Sequence, residues 1–494
     1  SVTDGSLTAS GGGELAVSVS VGSFAKFSLA MSDPQTSGTA FTGTNTLTAQ
    51  DAYGNTVTGF SAATNNVTVT SSLTGSITGL SGTDKLSSAS DFSSGVANLS
   101  SLGLKFTGTS GSGTFTFSPA TGAPVTSGSI TLNSGAATKL IITGSGSQVA
   151  GASQTITITA KDASGNTATT YSGAKSITFS GANASSSPAT SPTVASTDLG
   201  TATSLTFSNG VATATLALYR AESATVAVSD GSLVATGLDR LSITVGESSL
   251  SKFALNFSSP QNSGVAFTST NTITAQDAYG NTVTGFSAAT NNVTVTSSLT
   301  GSITGLSGTN KLSGAGDFVN GVANVANTLI FTGNTGNGTF TATATTGGAT
   351  GSSLVTIGAG SATKLIITGS GSQVAGASQT ITITAKDASG NTATTYSGAK
   401  SITFSGANAS SSPVTNPTVA STDLGTATSL TFSNGVASAS LSLFQVESAM
   451  IAATDGSIVA AGSDRLSVSV SAGSFSKMTV SLTSPQVSGT AFSG

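Results

Sequence analysis

Thr155-Ile156-Thr157-Ile158-Thr159-Ala160-Lys161-Asp162-Ala163-Ser164-Gly165-Asn166-Thr167 is the stretch that decides how this chain folds. In its first half apolar residues alternate with threonine. Ile156, Ile158 and Ala160 therefore share one face, and Thr155, Thr157 and Thr159 the other. That is the period of a half-buried antiparallel strand. The second half breaks the alternation with Asp, Gly and Asn. Asp accepts backbone N–H bonds within a turn, and Gly adopts positive φ without strain. A strand running into a tight turn is the reading.

The same pattern extends on both sides. Strands are expected near 138–143, 153–161, 174–180, 202–207, 210–218, 223–229 and 239–246. Turn signals punctuate them, among them Tyr53-Gly54-Asn55, Asn209-Gly210 and Asp230-Gly231. Seven short strands without a helical period point to a β-sandwich. Leu140, Ile142, Ile156, Ile158, Ile177, Phe179, Leu216 and Leu218 should fill its core, with the alternate threonines outside.

The stretch recurs. Asp162-Ala163-Ser164-Gly165-Asn166-Thr167 returns at Asp387 to Thr392, and the related Asp51-Ala52-Tyr53-Gly54-Asn55-Thr56 returns at Asp277 to Thr282. Thr48 to Thr83 is identical to Thr274 to Thr309, and Thr138 to Ala212 matches Thr363 to Ala437 with two substitutions, Ala189/Val414 and Ser191/Asn416. Two domain types, A and B, therefore alternate. Residues 1–23 read as the C-terminal part of a B domain and 24–136 as A. B follows over 137–249, A over 250–361 and B over 362–474, with a further A starting at 475–494. Lys26, Gln35 and Gly38 of A correspond to Lys139, Gln148 and Gly151 of B, so both types should share one fold. Both ends fall inside a domain, and the sequence reads as a window on a longer array. The joins carry no Pro-rich or charged linker, which favours a semi-rigid rod.

Composition excludes much chemistry. The 494 residues include no His, no Cys and no Trp, 7% are charged, and the formal net charge is −4. The commonest general base and metal ligand is missing, as are the thiol nucleophile and the strongest stacking platform. No cofactor is expected and no enzyme. The charge balance offers no footprint for nucleic acid. No apolar run approaches the length of a membrane span, and no export signal stands at Ser1. Hydrophobic residues are 37% and mean hydropathy is +0.23, which separates the chain from charged, disordered sequences. Solubility must come from Ser, Thr and Asn. A chain of this length without Cys fits a bacterial extracellular product.

The run Thr157 to Thr167, then Tyr171-Ser172-Gly173 and Ile177-Thr178-Phe179, resembles the bacterial immunoglobulin-like repeats of invasin- and intimin-type surface proteins. Phe207-Ser208-Asn209-Gly210-Val211-Ala212, Ala221-Glu222-Ser223 and Asp230-Gly231-Ser232 are similar to the second half of those repeats. The family pattern usually has Pro after Gly-Asn, where this chain has Thr56, Thr167, Thr282 and Thr392. The resemblance implies an all-β tandem array of immunoglobulin-like sandwiches in the stalk of a large secreted or surface-anchored adhesin.

Candidate sites are few. Asp51, Asn55, Asp162, Asn166, Asp277, Asn281, Asp387 and Asn391 could offer oxygens to calcium. Calcium takes six or more such ligands, and no second acidic cluster lies nearby in sequence, so a hairpin turn is the favoured reading. The Thr-x-Thr faces invite an ice- or mineral-binding reading, against which stand sheet twist and the strand propensity of Thr. Lys26, Lys139, Lys252 and Lys364 open the domains, where they blunt strand edges. An isopeptide bond would need a buried acid beside the pair, and only Glu14, Glu222, Glu247 and Glu447 supply glutamate. Asp230 and Arg240, like Asp455 and Arg465, stand ten apart across a hairpin and are expected to pair at the surface.

The function expected is structural: a stalk or fibre region of a very large bacterial cell-surface protein, its partners being neighbouring repeats. One alternative is a self-assembling filament, sheath or surface-layer subunit whose repeats associate laterally. The other is an adhesive module binding a receptor or glycan, most readily through Gly181 to Thr203.

Overall fold

The computed structural model describes residues 16–491. The chain forms two compact units. The first runs to Ser248 and takes in Tyr279–Asn281; the second takes in Ser249–Ala278 and the chain from Thr282 onward. The fold is all-β, a tandem array of immunoglobulin-like sandwiches of two alternating types. The α-helix described is the single turn Leu99–Leu102. Each unit holds two separate hydrophobic cores, one in an A copy and one in a B copy.

The first B copy contains ten strands: β1 Lys139–Thr143, β2 Ser147–Val149, β3 Ser153–Lys161, β4 Gly173–Ser180, β5 Thr193–Val194, β6 Thr197–Asp198, β7 Ala202–Phe207, β8 Val211–Ala217, β9 Glu222–Ser229 and β10 Leu241–Gly246. One sheet has the order β1-β3-β8-β5-β6, the other β2-β10-β9-β4-β7. All seven expected strands are present with ends shifted by at most two residues. The additional β2, β5 and β6 are two or three residues long, too short to show alternation in sequence.

Alternation fixes which face is buried. In β3, Ile156, Ile158 and Ala160 are fully buried between the sheets. They pair with Ile142 and Leu140 of β1 on one side and with Ala212 and Ala214 of β8 on the other. Leu140, Ile142, Ile177, Phe179, Leu216 and Leu218 are buried with them. The expected register is the observed one. The A cores use aromatic packing instead, with Phe115 edge-to-face against both Phe41 and Phe106.

The N-terminal segment of each B copy serves both sheets. After β1 the chain crosses through Gly144-Ser145-Gly146 and enters the second sheet as β2. A Cβ on Gly144 would lie 2.9 Å from Gln154 Oε1 and 3.0 Å from a Leu241 methyl, which explains the glycine there. β2 then runs parallel to β10, with Ser147 opposite Thr244 and Val149 opposite Gly246. The other three copies repeat this parallel pairing of the second strand with the last: Gln35–Thr36 with Leu132 and Asn133, Gln261–Asn262 with Ile357 and Gly358, and Ser372–Val374 with Ser469 to Ser471.

Candidate functional site

The turn after β3 is built around one carboxylate. Asp162 is buried, and its Oδ1 accepts from Ser164 N–H at 2.9 Å and Asn166 N–H at 2.8 Å. Its Oδ2 accepts from the Asn166 side-chain amide at 2.9 Å. Gly165 completes the turn at φ +84°, a conformation that favours glycine. The chain then returns to pair Thr167 with Lys161.

The same two side chains reach back into the preceding A copy. Gly135, in the join, donates its N–H to Asp162 Oδ2 at 2.9 Å. Asn166 Nδ2 donates to Gly108 O at 2.8 Å, and Ser110 N–H donates to Asn166 Oδ1 at 3.0 Å. Gly108 O also accepts from Ser37 Oγ at 3.0 Å, so both its lone pairs are used. Beside these bonds, Thr169 N–H donates to Ser134 Oγ at 3.0 Å. Asp162 and Asn166 thus act as a clamp that ties the first turn of B to the last loops of A. Burial alone pushes the Asp162 carboxyl up, but the bonds from Asn166, Gly135 and Ser164 outweigh it and hold the group below the usual carboxylate range.

The second unit repeats the clamp. Asp387 accepts from Gly360 N–H at 2.9 Å, Asn391 donates to Gly333 O at 2.8 Å, and the carboxyl of Asp387 is likewise held down. In the first A copy, Asp51 accepts from Tyr53 N–H, Asn55 N–H, the Asn55 amide and Gly22 N–H, all at 2.9–3.0 Å. The Asn55 amide is the chief cause that brings its pKa down to about 2. Asp277 is fully buried, and within the first unit Asn281 bonds to Tyr219 O and Ala221 N–H, each at 2.8 Å.

For a calcium ion these carboxylates offer little. Four N–H donors already occupy Asp162, and among the described residues no three acidic side chains gather at one point. The arrangement orients and fixes backbone rather than presenting open oxygens.

Asp230 and Arg240 do not pair. Asp230 instead accepts from the Tyr171 hydroxyl at 2.5 Å and from Ser232 and Leu233 N–H at 2.9 and 2.6 Å. Tyr171 packs edge-to-face on Phe207 with Lys175 over its ring, and burial followed by the Asp230 carboxylate pushes its pKa well up. Asp455 likewise accepts from Tyr396 at 2.7 Å, not from Arg465. The reason is local. Asp230 caps its own turn, while a short 3-10 turn, Gly237–Asp239, separates Arg240 from the hairpin. Ion pairs form one residue earlier, from Lys139 to Asp239 and from Lys364 to Asp464, both at 3.0 Å. Lys139 and Lys26 do open edge strands, whereas Lys252 opens an interior one.

The stretch from Gly181 to Thr203 is held to its sandwich. Glu222 accepts from the Asn183 backbone and side chain, both at 2.7 Å, and Val194 is buried opposite Leu216. The A copies carry equivalent surface clefts of about 550 and 360 Å³, lined by Val69, Ser76, Ile77 and Thr83 in the first and Val295, Ser302, Ile303 and Thr309 in the second. Sequence reasoning missed the clamp's reach into A and the Tyr171–Asp230 bond. Recurrence of Tyr171 and Asp230 as Tyr396 and Asp455 was the available signal.

No family model matches the chain, and no curated protein matches it. Among solved structures it is similar to domains 1–6 of surface layer protein SbsC, with 15% identity, a TM-score of 0.21 and coverage of 87% of this chain and 53% of that one. The chain thus spans about half the length of that structure. InvD of Yersinia pseudotuberculosis is similar at 20% identity and TM-score 0.26, over 66% of this chain and 95% of that one. Adhesin InvE of the same organism is similar at 16% identity and TM-score 0.20, over 48% and 67%. These neighbours are surface-layer and adhesin domains. No helix among the described residues is long and apolar enough to cross a membrane.

Proposed function

We propose that this chain is a structural repeat region, forming an extended stalk or fibre of a very large bacterial cell-surface protein, with no catalytic step. The domains are those of the sequence reading: A over 24–136 and 250–361, B over 137–249 and 362–474. The observation that carries the proposal is the parallel pairing of the second strand with the last strand in all four copies. In a parallel pair the incoming end of one strand and the outgoing end of the other lie at opposite ends of the ladder. Tension applied through the two chain ends therefore loads all the ladder bonds together in shear instead of opening them one at a time. The Asp–Asn clamps add a second element, because bonds across a join resist bending there.

Small-angle scattering of the whole chain tests the extended form. Four sandwiches of about 35–45 Å each give a rod on the order of 150 Å, with a radius of gyration of about 43 Å. A single compact body of this length would give about 23 Å. A value near the lower figure would rule out a stalk.

A further inference from the structure

Among the described residues most sheet edges are short or carry charge. In the first B copy, β1 begins with Lys139, β6 is two residues long and ends in Asp198, and β2 is three residues long. In the A copies the edges are short or carry lysine, as in Lys26–Ala30, Val96–Asn98, Lys85–Leu86 and Lys311–Leu312. β7 is different. Ala202–Phe207 is six residues long, contains no charge and no proline, and ends its sheet with one neighbour, β4. Its counterpart Ala427–Phe432 has the same sequence and the same place in the second B copy. These are the longest uncharged edge strands among the described residues. Half of the backbone N–H and C=O groups of such a strand point away from its sheet and template a further strand.

We propose that Ala202–Phe207 and Ala427–Phe432 are docking edges at which a second copy of this chain adds antiparallel, edge to edge. The strand is self-complementary. Thr203, Leu205 and Phe207 face the core, while Ala202, Ser204 and Thr206 are exposed. A two-fold antiparallel register centred on Ser204 or on Leu205 keeps core-facing residues beside core-facing residues, and a one-residue slip does not. In either register the exposed partners are Ser204, Thr206 and Ala202, so no charge meets a charge. The chain's net charge of −4 over 494 residues opposes close approach only weakly. Each chain offers the edge twice, once in each B copy. The inference is independent of the stalk reading, since a stalk can work as a single chain.

Charge reversal tests it in the full chain. One variant carries Lys at Ser204, Thr206, Ser429 and Thr431, the other Glu at the same four positions. The cross-strand neighbours of Ser204 and Thr206 on β4 are Ser176 and Ala174, so neither variant sets a like charge directly opposite another across the ladder. In sedimentation velocity the unmodified chain should gain mass with concentration. Each variant alone should stay monomeric with unchanged circular dichroism, and an equimolar mixture of the two should associate again. A monomeric unmodified chain, association of the Lys variant equal to that of the unmodified chain, or a mixture that stays monomeric would overturn the proposal. A variant that loses its circular dichroism is replaced by the single pair Ser204→Lys and Ser429→Lys, read against the same outcomes.

Discussion

Removal of the amide that crosses the join is the sharpest test of the clamp. Asn166→Ala deletes two bonds to the A copy, to Gly108 O at 2.8 Å and from Ser110 N–H at 3.0 Å. Asp162 keeps its three backbone donors, Ser164, Asn166 and Gly135, so the turn itself should persist. Each neutral hydrogen bond contributes about 0.5–1.5 kcal/mol net, which places the crossing pair at about 1–3 kcal/mol. The closed join should then lose a factor of about 5 to 150 relative to the open one. Amide hydrogen exchange reads this at the donor. The Ser110 amide should exchange faster by that factor, while amides of β3 within the ladder keep their protection. A change at Ser110 below about twofold, with the fold intact, would place the bond outside this range and refute the clamp.

Other outcomes follow from the same structure. Tyr171→Phe removes the hydroxyl that donates to Asp230 and should cost about 1–3 kcal/mol in chemical denaturation, with Asp230→Asn largely non-additive to it. Ile158→Ala should cost about 2–5 kcal/mol, because Ile158 is fully buried, whereas Thr157→Ala on the outer face should cost well under about 1 kcal/mol. Acid should weaken the chain in one direction. Asp51, Asp162, Asp230 and Asp387 all have carboxyls held below the usual carboxylate range by the hydrogen bonds they accept, Asp51 at about 2. Their stabilisation is complete above the unfolded value and is lost as pH falls through the folded one. Thermal stability should therefore be flat from neutrality to about pH 4 and fall between about pH 4 and 2.

The strands were legible because each sandwich buries one face of each sheet. Thr155 to Ala160 must alternate to satisfy both water and core, and that requirement is local. The turn at Asp162 was legible for the same reason, since Gly165 and Asn166 serve backbone within four residues. What the turn does was not. Its bonds to Gly135 and Gly108 span 27 and 58 positions and depend on how two sandwiches abut. The expected Asp230–Arg240 pair failed because hairpin spacing gives the approach of two strands but not the direction of side chains. Asp230 turned to its own loop and to Tyr171, 59 positions away.

The central claim is that tension shears the parallel pair formed by the second and last strands of each copy, and single-molecule extension of the whole chain measures it directly. A sandwich such as 137–249, drawn out at about 3.3–3.6 Å per residue and less its folded length, should lengthen by roughly 330–370 Å. Four abrupt ruptures of that size are expected. Ala150→Pro with Ala375→Pro deletes the N–H donors to Gly246 O and Ser471 O, both at 2.8 Å, beside the parallel pairs of the two B copies. Two of the four ruptures should then move to lower force while the A copies keep theirs. Smooth extension without ruptures, or four ruptures whose forces ignore the prolines, would contradict the account.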